Sequence, residues 1–142
     1  MLDLNLAKLP KIPISKSEIK QVPESPGVYI FLKGQEALYI GKAVNLRNRI
    51  TSYFATAIGP KTRRMIEQSN RLSFIKVSSE LEALLLEASL IRDKQPVYNT
   101  ASKDDKHPLY IKITREDYPR VTTARKAEVN IGAKAWFGPF PS

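Results

Sequence analysis

Alternating hydrophobic residues predict a β-hairpin in the first third of the chain. The run Gly27–Lys33 is rich in β-branched and aromatic residues, and a second such run, Ala37–Gly41, follows after a short Gly-Gln break. Two such strands around a short glycine-containing turn are typical of a hairpin. Because side chains alternate between the faces of a strand, Tyr29 is predicted to lie on the face opposite Val28 and the other aliphatic residues of its strand.

Two helices are predicted to follow the hairpin. Asn45 can cap a helix from Leu46 to about Phe54, in which apolar residues recur every four positions. Pro60 suits the first turn of a second helix that runs to about Ser69.

A third strand and a long helix come next. Residues 72–77 form a short apolar run typical of a strand. Ser79 and Glu82 then form a capping-box pattern immediately before an apolar helix that reaches at least Ile91. Pro96 disfavours helical geometry at the residue before it, so the helix is predicted to end there.

The two ends of the chain show weaker patterns. We expect residues 1–21 to be a loosely ordered lead-in that packs against an edge, because prolines interrupt any sustained period there. The core domain is predicted to cover residues 22–101. Residues 102–142 are predicted to form an extension that packs on the core, with a short hairpin near its start.

The last apolar residues, around Trp136 and Phe137, are predicted to be a tail that packs against the sheet rather than a surface that stacks on bases. Asp104, Asp105 and His107 lie in a polar, lysine-containing segment and are predicted to be exposed.

Composition changes this α/β outline by adding a strong positive charge. The 142 residues carry 23 Lys and Arg against 14 Asp and Glu, a formal net charge of +9. Residues 41–76 hold eight of the basic residues and one acidic residue, so 8 minus 1 puts +7 in that quarter of the chain. A charge of this kind favours a polyanionic partner, either nucleic acid or an anionic membrane surface, although a solvated helix surface is an equally ordinary origin for the cluster.

Cysteine and histidine counts exclude several kinds of site. The chain has no cysteine, which excludes a disulfide framework, a thiolate zinc site and an iron–sulfur cluster, and it has a single histidine. We find no apolar run near the roughly 18 residues that a membrane-spanning helix needs, and the first residues do not resemble a signal peptide. We therefore expect a protein of the cytoplasm that does not associate with membranes.

Glu87 is the residue of the long helix that departs most from its surroundings. It lies between Leu84 and Ile91 on a helix side that is otherwise apolar. A buried carboxylate needs an arginine, a raised pKa or a bound cation. An ion pair or simple exposure therefore competes with a metal site, for which Asn99 could supply a second oxygen and to which Mg²⁺ would be suited.

Tyrosines and an arginine supply the other candidate chemical groups. Tyr29 and Tyr39 lie on the hairpin, and Arg49 and Tyr53 lie on the helix that follows it. Hydroxyls, a cation and a carboxylate that holds a metal could together cleave a phosphodiester. A strand tyrosine is more often a half-buried packing residue, so composition and periodicity alone indicate only a basic α/β domain that acts on nucleic acid.

An ordered series of motifs makes the prediction more specific. Gly27-Val28-Tyr29 is followed ten residues on by Tyr39-Ile40-Gly41-Lys42, and the series continues to Phe137-Gly138-Pro139-Phe140. The intervening segments are Asn45-Leu46-Arg47-Asn48-Arg49-Ile50, Tyr53-Phe54, Lys61-Thr62-Arg63, Glu82 to Glu87, Leu90-Ile91, Gln95 to Asn99, Asp104-Asp105-Lys106 and Tyr110-Ile111-Lys112. This series resembles the GIY-YIG endonuclease domain of the UvrC family, and the resemblance covers residues 22–142.

The resemblance implies a fold and a reaction. The fold is a small, mainly antiparallel three-stranded sheet packed by helices, with a short C-terminal β extension. The reaction is the metal-dependent incision of one DNA strand on the 3′ side of a lesion during nucleotide excision repair. UvrC proteins continue into a UvrB-binding segment, a second nuclease domain and helix-hairpin-helix modules, so we expect these residues to supply only the N-terminal activity, with damaged duplex DNA and UvrB as partners.

The resemblance also implies a role for each site residue. Tyr29 would be the general base, with Lys42 close enough to favour its phenolate. Tyr39 would orient the water or the scissile phosphate, Arg49 would contact that phosphate, and Tyr53 would hydrogen-bond the phosphate or the water shell of the metal. Glu87 would be the one direct protein ligand of Mg²⁺ or Mn²⁺, and Asn99 would hold the structure around it. No small-molecule cofactor is implied.

The expected DNA-binding residues are basic residues of the 41–76 segment, namely Lys42, Arg47, Arg49, Lys61, Arg63 and Arg64. Two alternatives stay open at this point. One is a stand-alone structure-selective or mobile-element GIY-YIG nuclease, and the other is a catalytically silent DNA-binding module.

Overall fold

A computed structural model describes residues 6–55, 57–100, 109–125 and 130–140. The chain divides into two compact units, residues 1–101 and residues 102–142. Within the described ranges, no helix is long and apolar enough to cross a membrane.

The first unit is built on an antiparallel sheet whose strands lie in the order β1-β4-β2-β3. These strands are β1 (Lys11–Ile12), β2 (Gly27–Lys33), β3 (Glu36–Ala43) and β4 (Arg71–Lys76). The helices are α1 (Leu46–Ser52), α2 (Pro60–Gln68), α3 (Glu80–Lys94) and α4 (Val97–Thr100). The predicted hairpin, helices and third core strand are therefore confirmed, with α1 ending two residues earlier than expected.

The predicted three-stranded sheet and the loosely ordered lead-in are both corrected. Two short 3₁₀ helices, Leu6–Lys8 and Lys16–Gln21, flank β1, which pairs with β4 as a fourth strand. Ile12 and Ile19 are buried in the core. A strand of two residues between prolines is too short to show alternation of polar and apolar residues, so the sequence pattern did not predict it. The expectation that this segment packs against an edge is confirmed.

The central strand β2 separates two apolar cores. Its aliphatic residues Val28, Ile30 and Leu32 pack with Leu86 and Leu90 of α3. Its aromatic residues lie in the other core, as the period of two predicted, in a cluster with residues of α1 and α2. The members of that cluster include Tyr29, Phe31, Leu46, Ile50, Tyr53 and Met65.

Capping fixes where α3 begins and ends. The Ser79 hydroxyl oxygen accepts the Glu82 N–H at 3.2 Å, as predicted. The Glu82 carboxylate accepts from the N–H and the hydroxyl of Ser78, both at 2.9 Å, so the reciprocal bond is made one residue earlier than in a standard capping box. The helix ends at Gln95, which adopts the left-handed conformation with φ 44° and ψ 57°.

The second unit is a three-stranded antiparallel sheet in the order β6-β5-β7. Its strands are β5 (Leu109–Thr114), β6 (Val121–Arg125) and β7 (Ala133–Phe140). The predicted hairpin is confirmed. The predicted apolar tail is wrong, because Trp136 and Phe137 belong to β7 and are 49% and 54% exposed. Strand β7 contains Gly138 and Pro139, which are uncommon in strands, so the sequence pattern did not predict it. Both residues are accepted here because β7 is an edge strand.

Gly27 lies where β2 meets both β4 and α1. A Cβ atom added there would lie 2.4 Å from the Ile75 carbonyl oxygen and 2.5 Å from Leu46 Cδ1. Both neighbours are fixed, one as the backbone of the paired strand and the other as a fully buried side chain. The position therefore requires glycine because of close approach.

We predict that Gly27→Ala destabilises the fold by about 1–3 kcal/mol, the usual cost of forcing an extra carbon into a packed core. The free energy of unfolding from urea titration measures this. Gly59→Ala is the control, because a Cβ there meets nothing within 4 Å, and it should change stability by about 1 kcal/mol or less. Equal stability of the Gly27 variant and the wild type would contradict the close approach.

Candidate active site

Three tyrosines and an arginine form one cluster on the α1 side of the sheet. The ring centroid of Tyr29 lies 6.2 Å from that of Tyr39 and 5.7 Å from that of Tyr53. The Tyr29 and Tyr53 hydroxyls are hydrogen-bonded at 2.6 Å. Arg49 Nε donates to the Tyr29 hydroxyl at 3.2 Å, and its guanidinium carbon lies 5.5 Å from the Tyr53 ring centroid. The structure thus brings together these four residues, which the sequence placed on separate elements.

Gly41 makes room for Tyr29. The two residues are directly opposite in the β2–β3 pair, and a Cβ at position 41 would lie 2.3 Å from the Tyr29 hydroxyl oxygen. The tyrosine ring therefore lies across the backbone of β3. No role was predicted for this glycine, although a glycine inside a strand is a general sign of close backbone approach.

Burial keeps the tyrosines protonated. Tyr29 is 1% exposed, and burial is the largest cause raising its pKa above the ordinary value, with further increases from Tyr53 and an opposing effect from Arg49. Burial likewise raises the pKa of Tyr39 to about 12 and the pKa of Tyr53 to about 12. The hydrogen bond to Tyr29 raises the pKa of Arg49, so the guanidinium stays charged. The cluster at neutral pH is therefore a positive charge among neutral phenols.

Glu87 is a buried carboxylate from α3, as the helix pattern predicted. It is 6% exposed, and its Oε1 has no hydrogen-bond partner among the residues that the structure describes. Burial raises its pKa to about 7, against the opposing effects of the Lys42 charge and the Lys42 backbone N–H. The carboxylate also raises the pKa of Tyr39, which places it near the edge of the tyrosine cluster.

Lys42 acts on Glu87 rather than on Tyr29. Its strand partner is Val28, and directly opposed residues share a face, so Lys42 lies on the α3 side of the sheet. The cation that hydrogen-bonds the Tyr29 hydroxyl is Arg49. The expectation that Lys42 favours the Tyr29 phenolate is therefore corrected, because the two side chains leave β2 and β3 on opposite faces.

Asn99 holds the strand that carries Tyr39 and Gly41. Its Oδ1 accepts the Ile40 N–H at 2.9 Å, and its Nδ2 donates to the Ile40 carbonyl at 2.8 Å. The side chain completes the hydrogen bonding of the edge strand at the residue between the two motif positions. This geometry agrees with a structural role and not with direct metal ligation.

The predicted DNA-binding residues lie in different settings. Lys61, Arg63 and Arg64 are exposed on α2. Arg47 instead binds the segment before β2. Its Nε donates to the Val22 carbonyl at 2.8 Å, and its Nη1 lies 3.7 Å from the Glu24 carboxylate. Asp104, Asp105 and His107 lie outside the described residues.

Comparison with known proteins places this geometry in a family. The model of the UvrC-like GIY-YIG domain matches residues 25–100. The chain therefore belongs to the family of UvrC-like GIY-YIG domains. This confirms the predicted family, the predicted class of fold, antiparallel sheets packed with helices, and the predicted enzyme class of GIY-YIG endonuclease domains.

Individual relatives agree with this assignment. UvrABC system protein C of Thermus thermophilus is 46% identical over 124 residues, which cover 87% of this chain and 20% of that protein. The chain thus spans about a fifth of that relative. The N-terminal GIY-YIG endonuclease domain of UvrC from Thermotoga maritima, in its magnesium-bound crystal structure, is 42% identical with a TM-score of 0.55 over 58% of this chain and 92% of that one. A variant of that domain with an asparagine-to-alanine change, bound to its catalytic divalent cation, also has a TM-score of 0.55 and 42% identity, over 58% of this chain and 91% of that one.

Burial of Glu87 predicts a pH-dependent stability of the metal-free protein. Because its folded-state pKa, about 7, lies above the ordinary value of 4.5, the folded chain holds the extra proton and loses stability as the pH rises between those values. Glu87→Gln should remove this loss and be more stable than wild type by about 3 kcal/mol at pH 8, with little difference at pH 4.5.

Urea titration in chelator at both pH values measures this difference. Glu80→Gln, the same change at an exposed position of α3, is the control and should follow the wild type. A Glu87 variant that is equally or less stable than wild type at pH 8 would contradict the burial of a free carboxylate.

Proposed function

We propose that this domain hydrolyses one phosphodiester bond of DNA by attack of water, with a divalent cation bound at Glu87. The observation that carries the proposal is the buried Glu87 carboxylate, whose Oε1 has no partner within the described ranges, beside a cluster of phenols and a guanidinium. Burying a charge in this way is costly unless a cation compensates it.

The donor set suits a hard cation that keeps most of its own waters. Within the described part of the chain, no group of three or more His, Cys, Asp or Glu side chains could hold a metal ion. One carboxylate oxygen with water and substrate oxygens around it is the pattern that Mg²⁺ accepts, and Mn²⁺ is the other candidate. The bound cation would supply positive charge to the phosphate and to the leaving oxygen.

Tyr29 and Arg49 supply the protein's own chemistry. Tyr29 first loses its own proton to solvent. As the water oxygen bonds to phosphorus and the bond from phosphorus to the leaving oxygen breaks, the Tyr29 phenolate accepts the water proton, and the leaving oxygen takes a proton from solvent. A buried phenol with a raised pKa is a poor source of phenolate by itself, so this role requires positive charge near its oxygen. Arg49 provides part of that charge through its hydrogen bond and faces the charge that develops on the phosphate.

The remaining residues position these groups. Tyr53 holds the Tyr29 hydroxyl through their mutual hydrogen bond. The Tyr39 ring lies 6.2 Å from the Tyr29 ring, and the Glu87 carboxylate is near enough to Tyr39 to raise its pKa. Lys42 adds positive charge beside Glu87, which helps to keep this carboxylate ionised and able to bind a cation. Asn99 fixes the backbone between Tyr39 and Gly41.

The biological role we propose is the incision on the 3′ side of a lesion in nucleotide excision repair, on damaged duplex DNA and together with UvrB, in the cytoplasm. Membership of the UvrC-like family supports this role over a stand-alone nuclease. The chain spans only a fifth of its UvrABC system protein C relative, so recognition of the lesion is assigned to the rest of such a protein or to UvrB.

The first test is a nicking assay on supercoiled and lesion-bearing DNA with Mg²⁺, Mn²⁺ or chelator, with and without UvrB. Glu87→Gln should lower metal-dependent nicking by about 100-fold or more, because an amide lacks the ligand's charge. Divalent cation should also raise the thermal midpoint of the wild type and leave that of Glu87→Gln unchanged.

Glu80→Gln is the control for both readouts and should behave as wild type. Full activity of Glu87→Gln would contradict the metal site. DNA binding without any nicking, even with UvrB loaded on a lesion, would favour the silent binding module.

We further predict that Arg49→Ala lowers kcat by about 100-fold, as removal of a donor to developing charge does, and weakens DNA binding far less. Single-turnover cleavage and DNA binding in chelator measure the two effects. Arg71→Ala, which removes an exposed cation from β4, is the control and should leave kcat near wild type. A loss of binding that accounts for the whole loss of activity would make Arg49 a DNA-binding residue only.

A further inference from the structure

Helices α2 and α4 border an open groove of about 460 Å³. It is lined by Lys61, Arg64, Gln68, Val97 and Tyr98. Two of these residues are cations and none is acidic. The groove therefore has a mainly apolar surface, and both of its charged residues are basic.

The groove lies on the same side of the sheet as the tyrosine cluster. Tyr98 packs against the core that contains Tyr29 and Tyr53, and so does Ile66 of α2. The next residue after Tyr98 is Asn99, which is bonded to the backbone of β3 at Ile40. Helix α4, which lines the groove with Tyr98, is therefore bonded directly to β3, the strand that carries Tyr39 and Gly41.

The chemistry of the lining matches a sugar–phosphate backbone. The two cations suit phosphate oxygens, while Val97, which is 54% exposed, offers an apolar surface to the sugar. The Tyr98 hydroxyl donates to Gln68 Oε1 at 3.0 Å, so this bond uses the acceptor end of the Gln68 amide. The donor end is the one that a phosphate oxygen requires.

Helix geometry divides the basic residues of α2 into two sets. At about 100° per residue, Lys61, Arg64 and Gln68 lie within a sector of about 60° that faces the groove. Arg63 is turned about 100° from Arg64 and does not line the groove. The two adjacent arginines are therefore expected to differ in function.

We propose that the α2–α4 groove binds the backbone of the DNA strand next to the scissile phosphate, with Lys61 and Arg64 each neutralising one phosphate. The inference rests on the proposed function, since it takes DNA as the substrate. It adds a second phosphate-binding site, distinct from the one at Arg49, and excludes Arg63 from it.

The test measures DNA binding in chelator, where metal-dependent cleavage cannot occur. Fluorescence anisotropy of a labelled duplex over a series of salt concentrations gives the slope of log K against log salt, which changes by about 0.9 for each phosphate contact. Arg64→Ala should reduce the magnitude of the slope by about 0.9, and the Lys61→Ala, Arg64→Ala double variant by about 1.8. Arg63→Ala is the matched control and should reduce it by less than half as much as Arg64→Ala.

Equal reductions for Arg63→Ala and Arg64→Ala, or none for either, would overturn the proposal. It would also be overturned if the double variant bound DNA as the wild type does but lost binding to poly-glutamate, because the groove would then be a protein-docking surface. Wild-type protein that binds DNA with the predicted slopes but never nicks it would contradict the proposed nuclease and leave the groove supported.

Discussion

The architecture of the first unit depends on burial of the central strand on both faces. Alternate residues of β2 enter two chemically different cores, an aliphatic one under α3 and an aromatic one under α1. Hydrophobic burial on both faces fixes the register of the strand, because a slip of one residue would exchange the two sets. The packing that fixes Val28 in one core therefore also fixes Tyr29 in the other, so core packing determines the position of the Tyr29 hydroxyl.

The site places charge where the fold would otherwise exclude it. A hydrophobic helix face surrounds Glu87, and a nearly fully buried tyrosine hydroxyl is paired with a guanidinium. Burial raises the pKa of the Glu87 carboxyl and of the Tyr29 hydroxyl, because desolvation opposes their charged forms. A cation and a phosphate bound at the proposed site would favour the charged forms of both groups and would thereby stabilise the folded domain.

Local sequence patterns were sufficient to predict the helices, the hairpin and the position of the Glu87 carboxylate on an apolar side of α3, because caps, alternation and helical period are all short-range signals. The same alternation, applied to the opposed residues of β2 and β3, would also have placed the Lys42 and Tyr29 side chains on opposite faces of the sheet. Local patterns could not predict contacts between distant segments. Examples are the hydrogen bond from Arg47 to the Val22 carbonyl and the pairing of β1 with β4. These depend on the tertiary path of the chain, which no single segment encodes. The roles of the site residues came from the family resemblance.

Gln95 links α3 and α4, the helices that carry Glu87 and Asn99. It occupies the left-handed region, where glycine is the usual residue, between α3 with Glu87 and α4 with Asn99. A side chain at such a position costs about 1 kcal/mol but narrows the backbone angles that the link can adopt. The backbone angles of this link are therefore restricted, which fixes the position of Glu87 on α3 relative to Asn99 on α4 and to the β3 backbone that Asn99 bonds at Ile40.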